Sequence, residues 1–215
     1  MSQIITISII LWIIFSIFSI IMAIYLSKKF LFTELEGGQR DYFLGMVLFI
    51  IIHLIARIFY MLYDFYYIGG VPYELFWDIA AIIGVGSLIF LLFAIERHIL
   101  KKSRYIFTIL SIITFVLLIV LPVYKEIIQL IMIPIVAILV PAIYIYTAAK
   151  ISGKIRKNSL IIAFSLIIFI LGQSAHSTNV WDIFPYAIAE QLYYIVSPIG
   201  LLIGGIMLFY GLMKT

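Results

Sequence analysis

His53, Arg57, Tyr60, Asp64 and Tyr67 follow one another at spacings of 4, 3, 4 and 3. That rhythm puts all five on one face of a helix. From His53 to Asp64 the stripe climbs about 16 Å, over half of a roughly 30 Å hydrocarbon layer. A charge near the middle of that layer costs about 2.5–3.5 kcal/mol on insertion scales, so Arg57 has to face protein or water. Two kinds of chemistry suit it: an ion pair that staples two helices, or the wall of a cavity for a small polar ligand or ion. Asp64 lies two turns above it on the same helix, whereas Asp78 and Glu190 each stand about one turn into another apolar run. A carboxylate from another helix is the better geometric partner.

Further polar groups fall at a similar depth. Gln173, His176 and Ser177 close one apolar run; Glu190, Tyr194 and Ser197 climb the next at spacings of 4 and 3, with Tyr193 beside them. The expected arrangement is a polar cavity open to the outside. Its candidate ligand-binding residues are Arg57, Tyr60, Asp64, Asp78, Gln173, His176, Glu190 and Tyr194. A zinc ion, if any, would use His176 with Asp64 or Glu190. The three histidines, His53, His98 and His176, form no i, i+4 pair, so the paired-His pattern of seven-helix intramembrane zinc hydrolases is missing. A Ser-His-Asp triad has His176 and many serines but no local motif, and no phosphate loop or glycine fingerprint occurs. No catalytic residue is assigned. The absence of Cys excludes disulfides, thiol nucleophiles and Cys-ligated metals. No Lys lies between Ala187 and Met213, which rejects retinal held as a Schiff base in the last helix, and no cofactor is expected.

The elements that position these groups are membrane spans. Of 215 residues, 66% are hydrophobic and 11% charged, against about 45–50% and 25% in soluble domains. Seven runs approach the length needed to cross a bilayer: 3–27, 42–67, 75–99, 105–123, 127–149, 159–180 and 187–212. Continuous runs of this length favour helices over the short alternating strands of a barrel. The expected fold is therefore all-α: a single multi-pass domain over 1–215, a bundle of seven transmembrane helices in the cell membrane. Gly37-Gly38, Gly69-Gly70-Val71-Pro72, Lys101-Lys102-Ser103-Arg104, Val123 to Glu126, Ser152-Gly153-Lys154 and Thr178 to Pro185 mark the loops. The first run lacks a preceding basic residue and a cleavage site, so it is expected to be a span and not a cleaved signal peptide. Spans one and four, with no charge in their cores, are expected to lie at the periphery.

Orientation follows from Lys and Arg. Lys28, Lys29, Arg40, Arg97, Lys101, Lys102, Arg104, Lys150, Lys154, Arg156, Lys157 and Lys214 all fall on one side, 12 of 14. That side is expected to be cytoplasmic, with the N-terminus outside. The same rule accounts for the net charge of +4 without nucleic acid. The acids Asp64, Glu74, Asp78, Glu126, Asp182 and Glu190 lie toward the outer side, a mouth that attracts cations or amines. Pro134, Pro141 and Pro198 are expected to kink spans, and Gly200, Gly204 and Gly205 to serve close helix packing or a hinge. Tyr42, Tyr105, Tyr124, Trp181 and Tyr186 read as interfacial anchors.

Phe93-Ala94-Ile95-Glu96-Arg97-His98 ends the third span. It resembles the acid–Arg–aromatic motif that closes the third helix of rhodopsin-like G-protein-coupled receptors. The resemblance covers about six residues and implies that Glu96 and Arg97 form a cytoplasmic switch. His98 stands where that family has Tyr, Ser197-Pro198 is a fragment of its Asn-Pro-x-x-Tyr, and no Cys serves its outer disulfide. More loosely, the whole chain resembles the seven-helix sensor modules that precede signalling domains in microbial histidine kinases, here without the signalling domain. The Ile-rich composition suits an AT-rich prokaryote or archaeon.

These features lead to a receptor-like or sensory protein that binds a small polar or cationic ligand and signals through a cytoplasmic or membrane partner. A transporter or channel for a small solute, ion or proton is the alternative, with the apolar stretch Leu44 to Ile52 against it. A zinc-dependent intramembrane lipid enzyme and a structural subunit of a membrane complex are the remaining readings. The sequence gives no oligomeric state.

Overall fold

A computed structural model describes residues 3–32, 37–68, 71–72, 74–100, 103–124, 127–128, 135–177 and 179–214. Among the described residues the chain is helical apart from one small hairpin and short turns. Helices α1 (Gln3–Phe32), α2 (Gly37–Phe65) and α3 (Glu74–His98) come first, then α4 (Ile106–Val120). Beyond lie α5 (Val140–Lys150), α6 (Gly153–Ala175), the short α7 (Asn179–Ile183) and α8 (Tyr186–Gln191), and α9 (Ser197–Met213). Five stretches are long and apolar enough to cross a membrane: α1, α2, α3, α6 and the continuous Tyr186–Met213. The protein is thus a multi-pass membrane protein. The fourth and fifth expected spans correspond to shorter apolar helices, Ile106–Val120 and Val136–Lys150. Gly69, Gly70, Lys101, Lys102, Lys125, Glu126, Pro134 and Thr178, used above to mark loops, kinks and charge, lie outside the described residues.

Contacts divide the chain into two compact units, 1–18 with 133–215, and 19–132, the division falling within α1. In the second unit α2 packs along α3, and α3 along α4. Gly45 makes the closest approach: a Cβ there would stand 2.6 Å from the Ala94 Cβ and 2.9 Å from the Phe90 carbonyl. In the first unit α6 packs on α9 and on α5. A Cβ on Gly204 would lie 2.7 Å from the Phe169 backbone nitrogen, and one on Gly172 2.7 Å from that of Leu201. Gly204 thus does what the sequence predicts, bringing two backbones together where lipid offers no hydrophobic drive for helix association.

Several boundaries differ from the sequence expectation for identifiable reasons. Helix α2 begins at Gly37 and includes the Gly pair expected in a loop; glycine is tolerated where the first N–H groups have no intrahelical partner anyway. It ends at Phe65, and Tyr67–Ile68 pairs antiparallel with Val71–Pro72. Tyr67 therefore leaves the helical face on which its spacing placed it. Helix α6 starts at Gly153, whose φ of +72° suits glycine. Lys154, Arg156 and Lys157 then occupy its first turns, where positive charge opposes the helix dipole.

Two π-helical turns, Ile135–Leu139 and Leu192–Val196, each end just before a Val-Pro or Ser-Pro pair, at Pro141 and Pro198. Proline cannot donate to the carbonyl four residues back and its ring crowds it. A wider turn relieves that crowding. Replacing Pro198 with Ala is expected to let Leu192–Val196 tighten toward α-helix and turn Tyr193 out of register. Loss of the near-ultraviolet dichroism of the surrounding aromatic rings checks this.

Candidate functional site

On α2, one turn separates each of His53, Arg57, Tyr60 and Asp64 from the next. Arg57 is 0% exposed, and Asp64 and Tyr60 are buried too. The Arg57 Nε donates to His53 Nε2 at 3.4 Å, and its guanidinium carbon stands 4.9 Å from the centre of the Tyr60 ring. Such a cation–π contact strengthens where water is excluded. Trp77 of α3 meets the same rings, 4.8 Å from Tyr60 edge-to-face and 5.2 Å from Tyr63. Asp78, the next residue of α3, is half-buried. The contacts named here thus hold the guanidinium from its own helix, and Trp77 braces the Tyr60 ring beneath it. Arg57, Tyr60, Asp64 and Asp78 belong to one compact unit.

Gln173, His176, Glu190 and Tyr194 belong to the other. His176 caps the C-terminal end of α6, its N–H donating to the Gln173 carbonyl at 3.1 Å. Its ring is 1% exposed, stacked on Tyr193 at 4.2 Å and met edge-on by Trp12 of α1 at 5.2 Å. Trp181 extends the group, 5.7 Å from Tyr193 and 6.2 Å from Tyr194. Glu190, half-buried, precedes Tyr194 by one turn. Ser8, one turn before Trp12, Gln173, one turn before His176, and Ser197, one turn after Tyr193, each carry a buried polar atom with no hydrogen-bond partner among the described residues. Buried polar atoms are normally satisfied by protein or water, so this interior suits bound water or a small hydrogen-bonding solute.

Trp12, Trp77 and Trp181 complete the two clusters and are absent from the candidate binding residues read from sequence, where Trp181 figured only as an interfacial anchor. The signal for Trp12 is a lone indole in an Ile-rich run, with Ser8 one turn before it. For Trp77 it is a position next to Asp78. Among the described residues no three His, Asp or Glu side chains come together as a metal site.

Glu96 and Arg97 take separate partners. Glu96, 2% exposed, accepts from the backbone N–H of Phe107 at 3.1 Å and of Thr108 at 2.8 Å, and from the Thr108 hydroxyl at 2.5 Å. It caps the start of α4, whose own preceding residue, Tyr105, supplies no side-chain cap and has φ of 63°. Arg97 is exposed; its Nε donates to Asp41 at 3.0 Å and a terminal nitrogen donates to the Tyr105 hydroxyl at 3.0 Å. The acid therefore fixes α4 to α3, while the arginine ties α3 to the start of α2 and to the turn before α4. Compared with family models, curated proteins and solved structures, the chain matches none.

Proposed function

We propose that this protein is a receptor-like or sensory protein of the cell membrane, crossing it seven times with the N-terminus outside. It binds a small polar ligand through groups buried within its spans and passes the event to a cytoplasmic or membrane protein partner. One observation carries the reading: Arg57, wholly buried about two turns inside the end of a membrane-crossing helix, on a face shared with His53, Tyr60 and Asp64. An arginine at that depth is expensive and marks function by default. Outer carboxylates, among them Glu74, Asp182 and Glu190, favour amines and other cations as ligands. Support for the orientation is the set of 12 Lys and Arg residues on one side.

Arg57→Met tests it. Met keeps a side chain of similar length and removes the cost of a charge held within the membrane, so the variant is expected to fold. In nanodiscs, a panel of small amines and polar solutes should contain one that raises the unfolding midpoint of the parent. At a concentration near 100 Kd the gain is about 2.7 kcal/mol. The same solute should leave Arg57→Met unmoved. An equal shift in both, or no shift with any solute, would overturn the proposal. Solute flux into liposomes, abolished by Asp64→Asn, would replace sensing with transport; the inner stretch Leu44 to Ile52, apolar but for Gly45, stands against that.

A further inference from the structure

A separate feature lies where α2 begins, α3 ends and α4 begins. There a cavity of about 340 Å³ is lined by Gly37, Gly38, Glu96, Arg97, Arg104 and Tyr105, all in one compact unit. We propose that it binds a phosphate group, carried by an anionic phospholipid headgroup or free in solution. The site is distinct from the Arg57 stripe and does not depend on the sensory reading.

Two guanidinium groups, Arg97 and Arg104, line the cavity against one carboxylate, Glu96. Glu96 turns its carboxylate to three donors at the start of α4, and Asp41, outside the lining, is paired with Arg97. Arg97 spends its Nε and one terminal nitrogen on Asp41 and Tyr105, which fixes the guanidinium plane. Its second terminal nitrogen still has N–H groups to offer. Arg104 is exposed and makes no hydrogen bond or ion pair among the described residues. Its left-handed backbone, φ 51°, belongs to the tight turn that carries the chain from α3 into α4. Two guanidinium groups on one concave surface suit the planar fork geometry of phosphate recognition. The first turn of α2 adds to this: it holds no acidic residue, and a Cβ on Gly37 would meet nothing within 4 Å. Topogenic charge explains why basic residues lie on this side of the membrane. It does not explain why two of them line one hollow. Depth agrees as well, because membrane-crossing helices leave the hydrocarbon at their ends, where lipid phosphates lie.

Native mass spectrometry of the whole chain in detergent tests the site, with three probes: phosphatidylglycerol, phosphatidylcholine and inorganic phosphate. Saturable one-to-one binding is expected for phosphatidylglycerol or inorganic phosphate, at least tenfold tighter than for phosphatidylcholine. Saturation by the lipid alone assigns the site to headgroups; saturation by inorganic phosphate as well shows that the phosphate group suffices. Arg104→Gln should raise the half-saturating concentration about tenfold, whereas Arg156→Gln, a basic residue of the first turns of α6 outside the cavity, should change it less than twofold. Equal binding of phosphatidylcholine, or no saturable binding of either anionic probe, would overturn the proposal without reference to any variant. Equal weakening by Arg104→Gln and Arg156→Gln would overturn it too, since general surface charge would then account for the binding.

Discussion

Glu96→Ala is expected to lower the stability of the protein by on the order of 3 kcal/mol, largely by freeing the start of α4. The carboxylate satisfies two backbone N–H groups and one hydroxyl of that helix from a position 2% exposed. Losing a cap costs about 1 kcal/mol. Leaving buried donors unsatisfied costs about 1–3 kcal/mol for each group left without water. No side chain nearby in sequence can replace it, since Tyr105 supplies no cap of its own. At about 2–4 °C per kcal/mol for a chain of this size, the midpoint of thermal unfolding should fall by roughly 6–12 °C. Glu96→Gln retains an acceptor oxygen and should lose about a third as much. If Glu96 served only as an exposed partner of Arg97, both variants would unfold with the parent.

Gly172→Val is expected to be as damaging by a different route. A Cβ at this position would stand 2.7 Å from the Leu201 nitrogen, 2.9 Å from the Gly200 carbonyl carbon and 3.0 Å from the Ser197 carbonyl oxygen. All three are backbone atoms of one helix, so no side chain can turn aside to make room. The helices α6 and α9 must separate, and overpacking of that kind costs about 1–3 kcal/mol or more. The contact also lies beside Gln173 and Ser197 and one turn from His176, so the stacking of His176 on Tyr193 should loosen with it. Scanning calorimetry in detergent checks the stability, and the near-ultraviolet dichroism of Trp12 and Tyr193 checks the cluster. An unchanged midpoint with Gly172→Val would mean that α6 and α9 do not approach as closely as described.

Much of this was legible from residue order. Five unbroken apolar runs become the five long helices, because backbone groups in lipid leave few alternatives. The face carrying His53, Arg57, Tyr60 and Asp64 follows directly from spacing, and its burial follows from the cost of placing Arg57 in hydrocarbon. Prolines 141 and 198 announced irregular turns, yet the π form depends on how much room the neighbouring helices leave, which composition does not encode. Tyr67 kept the helical spacing but was claimed by the hairpin that follows Phe65. Glu96 showed its acid character and its helix-end position; its acceptance from Thr108, 12 residues on, depends on a turn whose left-handed residues, Arg104 and Tyr105, carry no distinctive composition. The aromatic partners of His176 were hidden for a similar reason: Trp12 and Tyr193 are far apart in sequence, and only the packing of α1 and the last span against α6 joins them.

The central claim is that the Arg57 stripe forms a polar binding site within the membrane and not a dry staple. Nitrogen-detected magnetic resonance of labelled protein in nanodiscs addresses it most directly, through transfer of water magnetisation to the Arg57 Nε. Transfer to Arg57, together with a change in its resonance on adding a small polar solute, is the predicted result. An Arg57 signal that receives nothing from water and ignores every solute, while exposed Arg156 responds normally, would contradict the claim.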